Sequence, residues 1–290
     1  PAPEIIALIQ NKGQQKQFYA SKNLPTADFK IFRNKELILK SIELGELKFP
    51  FVQKLCKHGY DGRGVLIIKN KSDAKKLLDG ESLVEKLIDI KKEISVITAQ
   101  NKRGEVRSFP PVDMVFNSKA NLVELLICPS SLSNEFQREA ISLAEKTIKL
   151  LGLCGILAVE MFIDIEDNIL INEVAPRPHN SGHHTIEASY TSQYEQCLRA
   201  ILDLPLGNTD MKVPSVMVNI LGDPDYEGKA FYEGLEDCMK IEGANFHIYG
   251  KNETKPYRKM GHVTVLDKEL SSAKEKAMFI KKNLRVMANE

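Results

Sequence analysis

Two glutamates, Glu160 and Glu173, stand on consecutive β-rich segments, GILAVEMFIDI and NILINEVAP, separated by Glu166-Asp167-Asn168. A two-residue turn at Glu166-Asp167 sets them directly opposite each other, and a turn at Asp167-Asn168 makes them diagonal neighbours on one face. Like charges so placed repel. Glu160 also lies among Leu157, Val159, Met161 and Phe162, where an unpaired carboxylate is costly. A hard divalent cation such as magnesium relieves both costs, because it takes carboxylate oxygens together with substrate phosphates. The competing reading is a pair of solvent-facing glutamates on an edge hairpin, which the apolar company of Glu160 disfavours.

A second cluster is FPFVQKLCKHGYDGRGV, in which a strand ending in Lys54 runs into a loop carrying Gly59, Gly62 and Gly64. Glycines let backbone N–H groups turn toward phosphate oxygens, and a lysine supplies the matching charge. The P-loop pattern G-x-x-x-x-G-K-[ST] is absent. Taken alone, the segment reads equally well as a glycine-rich hairpin turn.

The stretch NEVAPRPHNSGHHTIEA, residues 172–188, crowds Arg177, His179, Asn180, Ser181, His183 and His184 onto one Pro/Gly-bent loop directly after Glu173. Such a rigid, donor-rich loop suits an anionic, hydroxylated ligand. Its three histidines invite a zinc reading, which is disfavoured because neither a supporting cysteine nor an H-E-x-x-H helix accompanies them. A structural role covers His184 more readily than the cluster as a whole. Near the end, IYGKNETKPYRKMGHVTV gathers Lys251, Lys255, Arg258 and Lys259 beside a turn. Basic clusters are usually solvated surface. Here the turn at Pro256 also lets Lys251 and Arg258 converge on one anion such as a phosphate.

The elements that must position these residues follow from periodicity and punctuation. A helix is expected from about Ile5 to Asn23, stopped at Leu24-Pro25, and then the strands ADFKIF, FPFVQKL and GVLIIKN. Lys35 to Leu47 has helical spacing, and Ser72 opens a further helix ended by Gly80. The strands SLVEKLI and KEISVITAQN precede a strong helix that starts at Ser133 and ends at Gly152. After the glutamate hairpin comes a helix from about Thr191 to Leu202. Leu204-Pro-Leu-Gly207 marks a boundary before SVMVNIL, NFHIYG, KMGHVTVL and a Lys-rich terminal helix.

Composition narrows the class. At 290 residues with 43% hydrophobic side chains, the chain supports two domains, and no apolar run is long enough for a membrane helix. The formal net charge of +1 argues against a dedicated nucleic-acid binder. Cys56, Cys128, Cys154, Cys197 and Cys238 are scattered without a C-x-x-C pair, as expected of reduced thiols in the cytoplasm. The opening PAPEIIALIQNK lacks a signal-peptide pattern, and it begins without Met.

Together, GYDGRG, NEVAPRPHNSGHHTIEASYTSQYEQ and the YGK…RKMGHVTV tail resemble the ATP-grasp superfamily and, within it, the N5-carboxyaminoimidazole ribonucleotide synthetase family. The last two motifs are the specific ones, and the resemblance runs over essentially the whole chain. The family's additional N-terminal nucleotide-fold domain has no counterpart in this sequence. The resemblance implies an α+β architecture: an ATP-grasp region over residues 1–205 with a lid subdomain at about 25–88, and a small β-rich C-terminal domain over 206–290.

The same resemblance implies roles. Lys54 and Lys12 would hold ATP phosphates, Glu85 with the backbone of Lys86 and Leu87 the adenine, and Glu93 the ribose. Glu160 and Glu173 would hold magnesium. Tyr60, Asp61 and Arg63 would face bicarbonate and the aminoimidazole, with Asp61, Arg63 and Lys54 as the catalytic set. Arg177, His179, Asn180 and Ser181 would line the substrate site, and Lys251 and Arg258 the ribonucleotide phosphate. Tyr257 stands where the family pattern has glycine. The implied reaction is ATP-dependent carboxylation of 5-aminoimidazole ribonucleotide with bicarbonate, by a cytoplasmic homodimer that passes its product to a mutase. Two other readings are a formate-using or biotin-carboxylase-like ATP-grasp ligase, and a non-catalytic nucleotide-binding subunit. The His-Asn-Ser-Gly-His loop and basic tail argue against the former. The presence of both glutamates argues against the latter.

Overall fold

The computed structural model describes residues 1–57, 64–117 and 122–288. Among these residues the strands form a four-stranded, a nine-stranded and a three-stranded sheet, each built from antiparallel pairs. The four-stranded sheet runs Phe29–Phe32, Ser82–Lys86, Phe51–Leu55, Val65–Ile68 in spatial order. The helix Lys35–Glu43 packs on it through Ile38, which meets Phe51, Ile68, Ala74, Leu77 and Val84 in a small core. Asn34 starts that helix by accepting the Leu37 N–H. In place of the helix expected from Ser72, the chain makes a short 3-10 turn, Lys71–Lys76, opened by Asn70. Leu77 then turns extended to bury itself in this core.

The single N-terminal helix expected from the sequence is two helices, Pro3–Gln10 and Lys12–Ser21. Asn11 is extended between them, with φ −111°, and its side chain accepts the Gln14 N–H. The Lys12 N–H goes to the Cys56 carbonyl at 2.9 Å. A capping side chain and a tertiary acceptor therefore replace the helical bonds that a continuous helix would have made.

The large sheet runs Ile169–Ala175, Gly155–Asp164, Ile90–Gln100, Val112–Phe116, Val123–Cys128, Ser215–Leu221, Lys259–Leu266, Ala244–Ile248, with Val106–Ser108 added beside Ile90–Gln100. The helix Asn134–Leu151, capped by Ser133 and ended by Gly152 at φ 60°, lies across it. Its Ala140, Ala144 and Ile148 join Ile94, Val96, Leu157, Val159 and Met161, all essentially inaccessible. Burying each large aliphatic of this set contributes about 1.5–3 kcal/mol, so Ile148→Ala would cost about 2–5 kcal/mol.

Strand Ser215–Leu221 pairs on one side with Val123–Cys128 and on the other with Lys259–Leu266. The terminal segment thus extends the sheet that carries Glu160 and Glu173. Helix Leu270–Asn283 covers this end through Ala273, Ala277 and Ile280, packed on Val216, Val218, Val263 and Val265.

Candidate active site

Three adjacent strands set one acidic face. Ser95 stands opposite Glu160, Glu93 opposite Phe162, and Glu173 opposite Glu160. Side chains two apart on a strand share a face, so Glu93, Glu160 and Glu173 point the same way. The hairpin reaches this arrangement by an unexpected route. Its turn passes over Ile165, Glu166 and Asp167, one residue more than a two-residue turn, with Asp167 left-handed at φ 65°. The ladder from Ile169 to Ile171 is accordingly out of step with the one that would join the two glutamates. A bulge between Ile171 and Glu173 restores it.

Basic residues close over this face. The Lys12 ammonium is hydrogen-bonded to Glu173. Lys54 reaches Glu85 at 2.6 Å and donates to the Asn172 Oδ1 at 2.9 Å. The sequence reading missed Lys16, which is 2% exposed and pairs with the other oxygen of Glu85 at 2.5 Å. A lysine on a polar helix ordinarily reads as solvated. The one sequence cue was its place on the apolar-facing side of a helix leading into Leu24-Pro25. Burial lowers the Lys16 ammonium pKa, although Glu85 opposes the shift. For Glu85, itself 4% exposed, burial would raise the pKa, but Lys54 and Lys16 hold it below the usual carboxylate range.

The remaining charges follow their surroundings. Burial raises Glu160, reinforced by the charges of Glu173 and Glu93. Burial acts on Glu173 in the same sense, but Lys12 outweighs it and the carboxyl is lowered. Burial pushes Glu93 up to about 7. Lys259, which the sequence placed only in a basic cluster, lends its charge to Glu160 and His179.

The loop after Glu173 folds back onto the same face. Ser181 Oγ lies 2.7 Å from Ser95 Oγ, and His179 Nε2 lies 3.6 Å from Glu160. The other ring nitrogen of His179 is 2.9 Å from Ser181 Oγ. Burial and the Arg177 charge push the imidazole down to about 4, so it is neutral at pH 7. The Asn180 and Asn219 amides bond each other reciprocally at 2.8 and 2.9 Å, tying the loop to strand Ser215–Leu221. Arg177 Nη1 donates to the Pro178 carbonyl. His184 is buried.

Tyr60, Asp61 and Arg63 lie outside the described residues, as do Gly59 and Gly62. The root of their loop is pinned by the Leu55 N–H on the Gly64 carbonyl at 2.8 Å. At the expected adenine strand, the Lys86 N–H is taken by the Asp28 carbonyl at 2.9 Å, and Leu87 follows directly. In the tail, Lys251 Nζ donates to the Lys259 carbonyl at 2.5 Å and Arg258 Nη1 to the Glu253 carbonyl at 2.8 Å. Tyr257 adopts φ 60°, the left-handed conformation that a glycine holds without strain.

Lys54 of the four-stranded sheet bonded to Asn172 of the larger one, and Lys12 bonded to Glu173 of the facing glutamate pair, make the arrangement expected of an ATP-grasp protein. Residues 17–194 match the ATP-grasp domain family. Residues 215–276 match the phosphoribosylaminoimidazole carboxylase C-terminal domain.

More narrowly, the chain belongs to the N5-carboxyaminoimidazole ribonucleotide synthase family. It is 38% identical to the Bacillus subtilis N5-carboxyaminoimidazole ribonucleotide synthase over 91% of this chain and 68% of that one. It is also 38% identical to the Candida glabrata phosphoribosylaminoimidazole carboxylase, of which it spans 50%. The Thermotoga maritima N5-carboxyaminoimidazole ribonucleotide synthetase structure superposes with TM-score 0.90 at 41% identity, covering 100% of this chain and 75% of that one. The Aspergillus clavatus N5-carboxyaminoimidazole synthase, solved with ADP and 5-aminoimidazole ribonucleotide, gives TM-score 0.86 at 29% identity, covering 98% and 76%.

Proposed function

We propose that this chain carries the ATP-dependent carboxylation of 5-aminoimidazole ribonucleotide by bicarbonate. The observation that carries the reading is the meeting, at one face, of the Glu160–Glu173 pair with Lys12 and Lys54. Relatives named N5-carboxyaminoimidazole ribonucleotide synthase, and one such synthase solved with ADP and 5-aminoimidazole ribonucleotide, support it.

Among the described residues, no three His, Cys, Asp or Glu side chains stand as a metal-holding cluster. Two facing carboxylates nevertheless fit magnesium, which keeps waters and phosphate oxygens as its other ligands. The raised Glu160, beside a second carboxylate, is the observation that favours a cation there. When bound, magnesium would neutralise charge on the phosphate oxygens.

Lys54 and Lys12 would hold the phosphates of ATP, and Glu93 would meet the ribose, as the family resemblance implies. Glu85 binds Lys54 in this state and lies near the end of strand Ser82–Lys86, where the adenine-binding hinge would begin. An oxygen of bicarbonate attacks the γ-phosphorus, ADP leaves, and carboxyphosphate forms. The amino nitrogen of the ribonucleotide then attacks the carboxyl carbon, loses a proton, and expels phosphate. Charge stabilisation and positioning are the main sources of rate in such transfers. Arg177, neutral His179, Asn180 and Ser181 would orient bicarbonate and keep water from the labile intermediate. For Tyr60, Asp61 and Arg63 the support is the GYDGRG motif. Lys251 and Arg258 would hold the ribonucleotide phosphate.

The reading extends to a cytoplasmic homodimer that hands its product to a mutase. The exposed apolar row Tyr194, Leu198, Ile201 and Leu202 supports self-association. Labelled carbon supplied as bicarbonate or as formate tests the substrate. The carboxylation predicts incorporation from bicarbonate alone, and incorporation from formate would overturn it.

A further inference from the structure

A stack of imidazoles joins the loop after Glu173 to the basic tail. His262, 2% exposed on strand Lys259–Leu266, lies between His183 at 4.7 Å and His247 at 4.4 Å, ring centre to ring centre. His183 belongs to the loop, where Gln193 Nε2 and the Tyr194 hydroxyl approach its Nδ1 at 3.0 and 3.1 Å. His247 is fixed by Glu187 at 2.6 Å. The Nδ1 of His262 is 2.9 Å from the Tyr249 hydroxyl, and the Tyr249 ring in turn lies 5.6 Å beneath the Lys251 ammonium.

Three features make this more than core packing. An aliphatic side chain would fill the His262 site without leaving a buried nitrogen unsatisfied, yet His262 Nε2 has no hydrogen-bond partner among the described residues. Burial, with the Tyr194 charge, pushes the Tyr249 phenol up to about 12, so it remains a donor at physiological pH. His262 is kept neutral by burial and by its histidine neighbours, so its Nδ1 is available as the acceptor. The contacts therefore form a chain: loop, His183, His262, Tyr249, Lys251.

We propose that Tyr249 and His262 are positioning residues for Lys251, holding its ammonium at the ribonucleotide phosphate and tying that placement to the loop that carries His179. The proposal rests on the assignment of Lys251 to that phosphate. A cation over an aromatic face is attracted to the ring, and a ring fixed by its hydroxyl fixes where the cation sits.

The test is steady-state kinetics of Tyr249→Phe, His262→Leu, His262→Gln and Lys251→Ala, with the Tyr249→Phe/Lys251→Ala double variant. Tyr249→Phe and His262→Leu are expected to raise the KM for the ribonucleotide about three- to tenfold and leave the KM for ATP unchanged. Glutamine at 262, which retains an acceptor, should restore part of the loss. Because Tyr249 acts through Lys251, the double variant should match Lys251→Ala alone. A Tyr249→Phe enzyme with normal ribonucleotide KM, beside a damaged Lys251→Ala, would overturn the positioning role and leave the phosphate assignment standing. Effects that multiply in the double variant would also overturn it. A silent Lys251→Ala would remove the phosphate assignment and this inference with it. Tyr249→Phe deletes one oxygen, so the answer does not depend on whether His262→Leu folds.

Discussion

Glu160 and Glu173 face each other across their hairpin because Asn172 is bulged out of the ladder between them. In the register held from Ile169 to Ile171, Glu160 would oppose Asn172, and Glu173 would turn to the other face. The bulge brings Glu173 round and also lets the Asn172 side chain accept from Lys54. One local irregularity thus builds the carboxylate pair and anchors the lysine of the neighbouring sheet.

Replacing either glutamate by glutamine should abolish most ATP turnover, a loss of about a hundredfold or more, because the cation-facing charge is gone while the shape remains. ADP release at saturating magnesium, with the melting temperature as control, checks this. Near-normal turnover in either variant would remove the metal assignment.

Much of this site could be read from the sequence because its parts are local. The glutamates lie on one hairpin, the polar loop follows directly, and Lys54 ends a strand before a run of glycines. What escaped were relations set by tertiary structure. Lys16 is recognisable only once Glu85, from a distant strand, is placed beside it. The break at Asn11 depends on the Cys56 carbonyl. The correct pairing of Glu160 with Glu173 came from a longer turn compensated by a bulge, and periodicity carries no signal for either. The pairing of Ser215–Leu221 with Val123–Cys128 joins segments separated by the whole glutamate hairpin.

Lys54→Met should weaken nucleotide binding about tenfold or more, since it removes a charge-assisted contact to phosphate and leaves Glu85 with Lys16 alone. Titration calorimetry with ADP reads this directly. Unchanged affinity would place Lys54 away from the phosphates.

Lys251→Ala and Arg258→Ala should each raise the KM for the ribonucleotide about tenfold while leaving the KM for ATP alone. Varying each substrate in turn separates the two constants. A rise confined to ATP would contradict the assignment of the tail.

Asp113 offers a stability test away from the site. Burial would raise its carboxyl pKa, but the Ser130 and Ser131 hydroxyls, the Ser131 N–H and Lys92 outweigh it and hold the group below its usual value. A depressed folded pKa gives stability that is present above the unfolded pKa of about 3.9 and lost as pH falls through the folded value. Asp113→Asn should therefore cost roughly 2 kcal/mol near pH 7. That difference should shrink below about pH 4. Denaturant melts at both pH values check it, and a penalty independent of pH would contradict the ionised network.

The central claim is that bicarbonate is activated on ATP before it meets the amine. With bicarbonate labelled in its oxygens, carboxyphosphate must break between carbon and the bridging oxygen, so the phosphate released carries one labelled oxygen. Mass analysis of the inorganic phosphate reads this in a single turnover. Phosphate carrying one labelled oxygen is the predicted result, and unlabelled phosphate alongside carboxylated product would contradict the account.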